Sequence, residues 1–174
     1  MEKTNIPDKI NAFKVYGDKS ELVGVSGEVN LPDIESVTSA ISGAGIAGEI
    51  DTPAIGIFNS IEQEIPFTSV YSDCFSIYNP LKAVTLTLRG SLQVMNRETG
   101  SINFKGVKVT FKGLPKKITG GTVKLGEGIT PSVTLELLYY KLEVDNNVMI
   151  EVDKLNSVFK VNGVDILKNA ISLC

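Results

Sequence analysis

The sequence predicts a mainly β protein whose long strands bend toward a barrel or a sandwich, with one short helix in the middle and one at the C-terminus. Three observations carry this. Val, Ile and Thr number 18, 17 and 12 among 174 residues, so more than a quarter of the chain is stiff at χ1 and suited to pleated surfaces. Several long runs alternate apolar and polar residues with the period of a half-buried strand. In two of those runs the apolar phase slips by one residue, as a β-bulge would produce.

Ala12–Tyr16, the turn Gly17-Asp18-Lys19-Ser20 and Glu21–Leu31 read as strand, turn, strand, with Pro32 marking a strand end or edge because it cannot donate to a ladder. Ile34–Ile41 and Ile61–Phe67 read as two further strands joined by a long Gly-rich connection. Ser69–Tyr78 suits a short helix with Val70, Cys74 and Ile77 on one face, stopped by Pro80.

The clearest strand is Lys82–Met95, with Val84, Leu86, Leu88, Leu92 and Val94 on one side and Thr85, Thr87, Arg89 and Gln93 on the other. A turn at Asn96–Gly100 leads into Ile102–Leu114. There the apolar phase moves from Ile102 and Phe104 to Val107, Val109 and Phe111, which predicts a bulge at Gly106. A second slip separates Leu135-Leu137 from Leu138-Tyr140-Leu142-Val144, and such slips curve a sheet. Asp145-Asn146-Asn147 is a turn, Val148–Asp153 pairs back, and Val164–Leu173 is expected to form a terminal helix begun by Asp165.

Residues 1–174 are expected to form a single domain, since a chain of this length buries roughly 70% of the surface its unfolded form exposes. Met1–Ile10 contains no apolar run of the kind a signal peptide needs. The longest uncharged run, Ser36–Gly48, is 13 residues rich in Ser and Gly, too short to span a bilayer, so no membrane anchor is expected. Cys74 and Cys174 read as two unpaired thiols of a reducing cytoplasm.

Composition excludes much chemistry. With no His there is no imidazole base, no Ser-His-Asp or Cys-His pair and no His-containing metal site. Gly43-Ala44-Gly45-Ile46-Ala47-Gly48 spells the dinucleotide fingerprint, but Pro53 follows shortly and no helix pattern opens at the last glycine, so it reads as a loop. Glu62 with Glu64, and Glu151 with Asp153, put two carboxylates on one strand face. Neither has an aromatic sugar platform beside it, and the chain lacks Trp. No enzyme and no cofactor are expected.

Charge is segregated. Residues 1–80 hold 4 Lys and 12 acids, whereas residues 82–124 hold 9 Lys or Arg and only Glu98. A nucleic-acid surface needs Arg clusters or aromatic stacking platforms, and two Arg in the whole chain argue against one. Two readings remain open: solvated strand faces, or complementary contacts between copies of the same chain. Lys108 and Lys112 alternate with Val107, Val109 and Phe111, point outward together on that spacing, and are the candidate inter-subunit charge contacts.

The C-terminal third carries a resemblance. Tyr139-Tyr140-Lys141-Leu142-Glu143-Val144-Asp145, then Glu151-Val152-Asp153 and Asn156, then Val161-Asn162-Gly163-Val164-Asp165 resembles the ending of major tail tube proteins of contractile-tailed phages, the P2-like FII family. Val25–Pro32, Ile34-Glu35 and Gly43-Ala44-Gly45 look like that family's strand, Leu-Pro turn, strand and Gly-rich loop. Between about 68 and 128 the likeness rests on strand order, and Asp145-Asn146-Asn147 stands where an Asp-Gly turn is more usual.

The resemblance implies two packed antiparallel sheets with a flanking helix, and a subunit of hexameric rings stacked into a hollow tube. It implies as partners other copies of the chain, a contractile sheath protein, and baseplate and tail-terminator proteins, and it leaves room for DNA passing through the lumen without sequence recognition. The protein would be made in the bacterial cytoplasm and then belong to a virion tail or to a released phage-tail-like bacteriocin. A β-sandwich binding module of a baseplate or adhesin is the alternative. The connection Ser42, Gly43, Ala44, Gly45, Ile46, Ala47, Gly48, Glu49, Ile50, Asp51, Thr52 and Pro53 is longer than a hairpin loop needs, and the resemblance implies that it reaches the next ring.

Overall fold

A computed structural model describes residues 5–17, 20–43, 45–70 and 72–173. Its strands are β1 (Asn5–Tyr16), β2 (Ser36–Ile41), β3 (Ile50–Phe58), β4 (Glu62–Pro66), β5 (Val84–Asn96), β6 (Ile102–Thr119), β7 (Ser132–Val144), β8 (Asn147–Asp153), β9 (Val158–Val161) and β10 (Val164–Asp165). Two short helices, α1 (Ser72–Ser76) and α2 (Lys168–Ile171), accompany them. The architecture is therefore mainly β with two antiparallel sheets: an eight-stranded one in the order β1-β5-β6-β7-β8-β9-β10, with β4 also paired to β7, and a two-stranded one of β2 and β3.

Alternation builds the centre. In β5 the even positions Leu86, Leu88 and Val94 are buried, and opposite them in β6 Val109 and Phe111 are buried too. Val133, Leu135 and Leu137 of β7 join the same core, which is covered by Cys74 of α1 and by Ile77 just after it. Each such side chain contributes roughly 1.5–3 kcal/mol of burial, so this double row dominates the stability of the subunit.

The slip expected in β7 is present: Lys112 faces Tyr139 whereas Gly113 faces Leu137, leaving Leu138 as the extra residue. Before it β7 pairs with β4, after it with β8, and the Lys154 amide caps the seam by donating to the Leu138 carbonyl at 2.9 Å. The β7–β8 turn places Asp145 and Asn146 at φ 54° and 63°, and the β9–β10 turn places Asn162 and Gly163 at φ 50° and 79°. Two consecutive left-handed residues give the twist that two-residue hairpins require, and Asn and Asp tolerate it.

The bulge expected at Gly106 is absent. β5 and β6 pair without a break from Val84 opposite Gly113 to Met95 opposite Ile102. Ile102 and Phe104 instead lie on the side of the sheet away from the core and are exposed. Reading every apolar residue as core-seeking forced a slip that the backbone does not make.

Other expectations are corrected as well. Glu21–Leu31 is not a strand; it touches the ladders only through single bridges, Tyr16 to Glu21 and Val25 to Phe67, because Gly24 at φ 82° interrupts its extension. Asp18 and Lys19 of the expected turn lie outside the described residues, as do Ala44 and Cys174. β1 begins at Asn5, well before Ala12. The connection expected over 42–53 ends at 49, since Ile50–Pro53 belong to β3. Pro53 and Gly56 stand inside β3, which belongs to a two-stranded sheet with free edges, where a missing ladder N–H is tolerated.

Both helices are shorter than expected. In the first, Cys74 and Ile77 are buried as read, whereas Val70 is exposed. The terminal one loses its start because the Asn162-Gly163 turn draws Val164 and Asp165 into β10. Asp165 still caps the following turn, its Oδ1 accepting from the Leu167 amide at 3.0 Å.

Candidate assembly surfaces

The β2–β3 hairpin is an arm. Ile41 pairs with Ile50, Ala40 with Asp51, Ser39 with Thr52 and Thr38 with Pro53. The tip residues 42, 43 and 45–49 are exposed, with Gly45 and Gly48 at φ 93° and 123°, where a side chain would be strained. At its base the arm is fastened to the C-terminal region. A Cβ at Gly56 would stand 2.6 Å from Leu167, and the rings of Phe58 and Phe159 meet edge to face at 5.1 Å.

Along its strands and tip the arm leaves Ile41, Ile46, Ile50, Ile55 and Ile57 exposed. A lone two-stranded hairpin is marginal in water, and five uncovered isoleucines make it more so. The spacing Ile55-Gly56-Ile57 held the signal for β3, masked by its glycine.

Away from the β5–β6 turn, the face of the main sheet opposite the core is polar. One row crosses the whole sheet: Tyr16, Thr87, Thr110, Lys141, Glu151, Lys160 and Asp165. The next row runs Lys14, Arg89, Lys108, Glu143. Lys141 and Lys108 approach Glu143 at 2.9 and 3.3 Å, and they hold its carboxyl below the usual carboxylate range, Lys141 first, against a smaller opposing push from burial. Glu151 accepts from Tyr139 Oη at 2.9 Å and pairs with Lys160 at 3.1 Å. Arg89 lies 5.5 Å from the centroid of the Tyr16 ring.

Lys108 and Lys112 do share this face, with Val109 and Phe111 buried behind them. Lys108 already has an intramolecular partner in Glu143. Lys112 makes no ion pair among the described residues and faces Thr85 and Tyr139.

The carboxylate pairs noted in the sequence serve the fold. Glu62 pairs with Lys116, Glu64 accepts from Ser132 Oγ at 2.5 Å, and Asp153 accepts from the amides of Leu155 and Asn156 at 3.0 Å. A groove of about 740 Å³ opens between β1, β5, β6 and residues 21–31, with Phe13, Val15, Val25, Val29, Leu88 and Val109 in its wall. Of its three charged residues, Lys14, Glu21 and Glu28, the first two pair with each other at 2.9 Å, and the rest of the wall is mostly apolar. No helix of the described residues is long and apolar enough to cross a membrane.

A family described as phage tail tube protein FII matches residues 7–171. The chain is 28% identical over 169 residues to the tail tube protein of Escherichia phage P2, covering 94% of each chain. It is 24% identical over 166 residues to the major tail tube protein of Serratia phage KSP20, covering 95% of this chain and 94% of that one. In fold it is similar to a chain of the sheath/tube terminator of an extracellular contractile injection system, with a TM-score of 0.54 and 13% identity, over 79% of this chain and 97% of the other.

Proposed function

Because this chain belongs to the phage tail tube protein FII family, a family of structural subunits and not of enzymes, we propose that it assembles into hexameric rings that stack as a hollow tube. The family match, which runs from β1 to α2, carries this reading. Physical chemistry supports it. The main sheet is open, with β1 at one end and β10 at the other, and head-to-tail contacts about a rotation axis would cover both ends. Rings made this way have unlike top and bottom faces, which stack until something caps them.

A contractile sheath around the tube, a baseplate below and a terminator above are the partners this role calls for. DNA, if it passes, would do so without sequence recognition. The subunit would be made in the bacterial cytoplasm and end in a virion tail or a phage-tail-like bacteriocin. The arm, with its tip at 42–49 and strand residues Ile50–Pro53, would reach from one ring to the next.

Negative-stain electron microscopy of the purified chain, with light scattering across concentration and salt, tests the proposal. Annular particles and tubes are expected. A monomer at every concentration, with no annular particle, would refute it.

A further inference from the structure

Two apolar surfaces of this subunit have no cover among the described residues. One is the arm. The other lies at the β5–β6 turn end of the main sheet, where Ile6, Met95 and Ile102 stand directly opposite one another across three strands. Phe104 lies two residues beyond Ile102 on the same side, and the four are 43, 40, 55 and 63% exposed. The unbroken β5–β6 ladder aims them away from the core, so they are not misplaced core residues.

The two surfaces sit at opposite ends of the strand order. The arm is fastened beside β9 and β10, through Leu167 and Phe159, whereas the patch belongs to β1, β5 and β6, with β7 and β8 between. The arm is acidic: residues 35–58 hold Glu35, Glu49 and Asp51 and no cation, whereas residues 84–119 hold seven Lys or Arg and only Glu98. At the patch itself Asp8 accepts from Gln93, which faces Phe104, so Arg97 in the turn is the charge there that suits the arm. Arg97 in the β5–β6 turn beside the patch, and Glu49 and Asp51 near the arm tip, make no ion pair among the described residues.

Like charge disfavours arm on arm, and Arg97 beside the patch favours the acidic arm there. That pairing joins unlike surfaces, so it propagates from copy to copy. We propose that the Ile6–Met95–Ile102–Phe104 patch seats the β2–β3 arm of a second copy of this chain, the arm's isoleucines on Phe104 and its carboxylates toward Arg97. The proposal deepens the tube reading, on which it rests for the direction of stacking.

The test mixes two single-cysteine variants in a Cys174→Ser background, Phe104→Cys and Ile50→Cys, under a mild oxidant, with Cys74 left buried. A disulfide-linked dimer several-fold more abundant in the mixture than in either variant alone is expected; equal yields would overturn the proposal. Charge gives a second arm of the experiment. Arg97→Glu should slow association of copies, and adding Asp51→Lys should restore it, with urea midpoints unchanged throughout; no rescue would count against the pairing. If wild type forms no annular particles yet the mixed disulfide appears, the tube reading fails while this contact stands. Normal tubes without the mixed disulfide separate the two in the other direction.

Discussion

Gly113 passes so close to Glu136 that a Cβ at position 113 would stand 2.5 Å from the Glu136 carbonyl oxygen. The neighbouring register shift, where Leu138 is the extra residue, presses the two backbones together, and only glycine fits. Gly113→Ala should therefore cost about 1–3 kcal/mol, since the contact is with backbone and cannot be relieved by a rotamer. A fall in the urea midpoint at unchanged slope checks it. Gly106→Ala, with nothing within 4 Å of its Cβ, is the control and should cost less.

Legibility in the sequence followed covering. Where one face of a strand is buried by its own chain, as in β5 and the second half of β7, alternation named the core residues, and the slip at Leu138 was visible as a change of phase. Where the apolar face is left uncovered, as at Ile102 and Phe104, the same rule produced a bulge that does not exist. β3 stayed hidden because Pro53 and Gly56 argue against strand unless the strand is known to have a free edge. Lys108 and Lys112 were correctly aimed, but the partner of Lys108, Glu143, lies 35 positions away in sequence and only the β6–β7 register reveals it.

Acid should weaken the subunit. Glu143, Glu136 and Asp153 are each held below their ordinary range: Glu143 chiefly by Lys141, and the other two despite burial, which pushes the opposite way, by hydrogen bonds from Ser60 and Lys154 and from Asn156 respectively. A carboxyl with a depressed folded value binds fewer protons than its unfolded counterpart, so its contribution is present above the unfolded value and lost as pH falls through the folded one. The urea midpoint should accordingly be flat near neutrality and decline below about pH 5. Glu143→Gln should flatten part of that decline; an unchanged profile would mean that this carboxylate does not contribute.

Reversing Lys108 and Lys112 separates solvated charge from contacts between copies. Lys108→Glu alone removes the internal pair with Glu143, whose carboxylate lies 3.3 Å from the Lys108 ammonium, and sets a like charge beside it, so a modest loss of subunit stability is expected. Lys112→Glu breaks no ion pair, but the Lys112 charge helps keep Asp153 ionised, so a small loss of stability is expected from it too. If these lysines meet acidic surface of a neighbour, the double variant should assemble slowly, and the wild-type rate should fall as salt screens charges beyond a Debye length of ~8 Å. Assembly rates by light scattering that ignore both salt and the substitutions would assign the two lysines to solvation alone.

The arm offers the sharpest functional deletion because its register shows where to cut. Ile41 and Ile50 face each other as the last pair of the hairpin, so Ser42–Glu49 can be replaced by Asn-Gly, the dipeptide that closes a two-residue turn with both residues left-handed. That change keeps β2, β3 and the contacts of Gly56 and Phe58 with Leu167 and Phe159, and removes only the protruding tip. The shortened subunit should melt like wild type and still form rings, but stack poorly. Leu167→Ala is the companion: it loosens the base while leaving the tip intact, so it should lower stability through the lost burial of a side chain only 8% exposed. Tubes of ordinary length from the shortened chain, seen by electron microscopy, would show that the tip does not bridge rings and that stacking depends on the isoleucine-bearing strands alone.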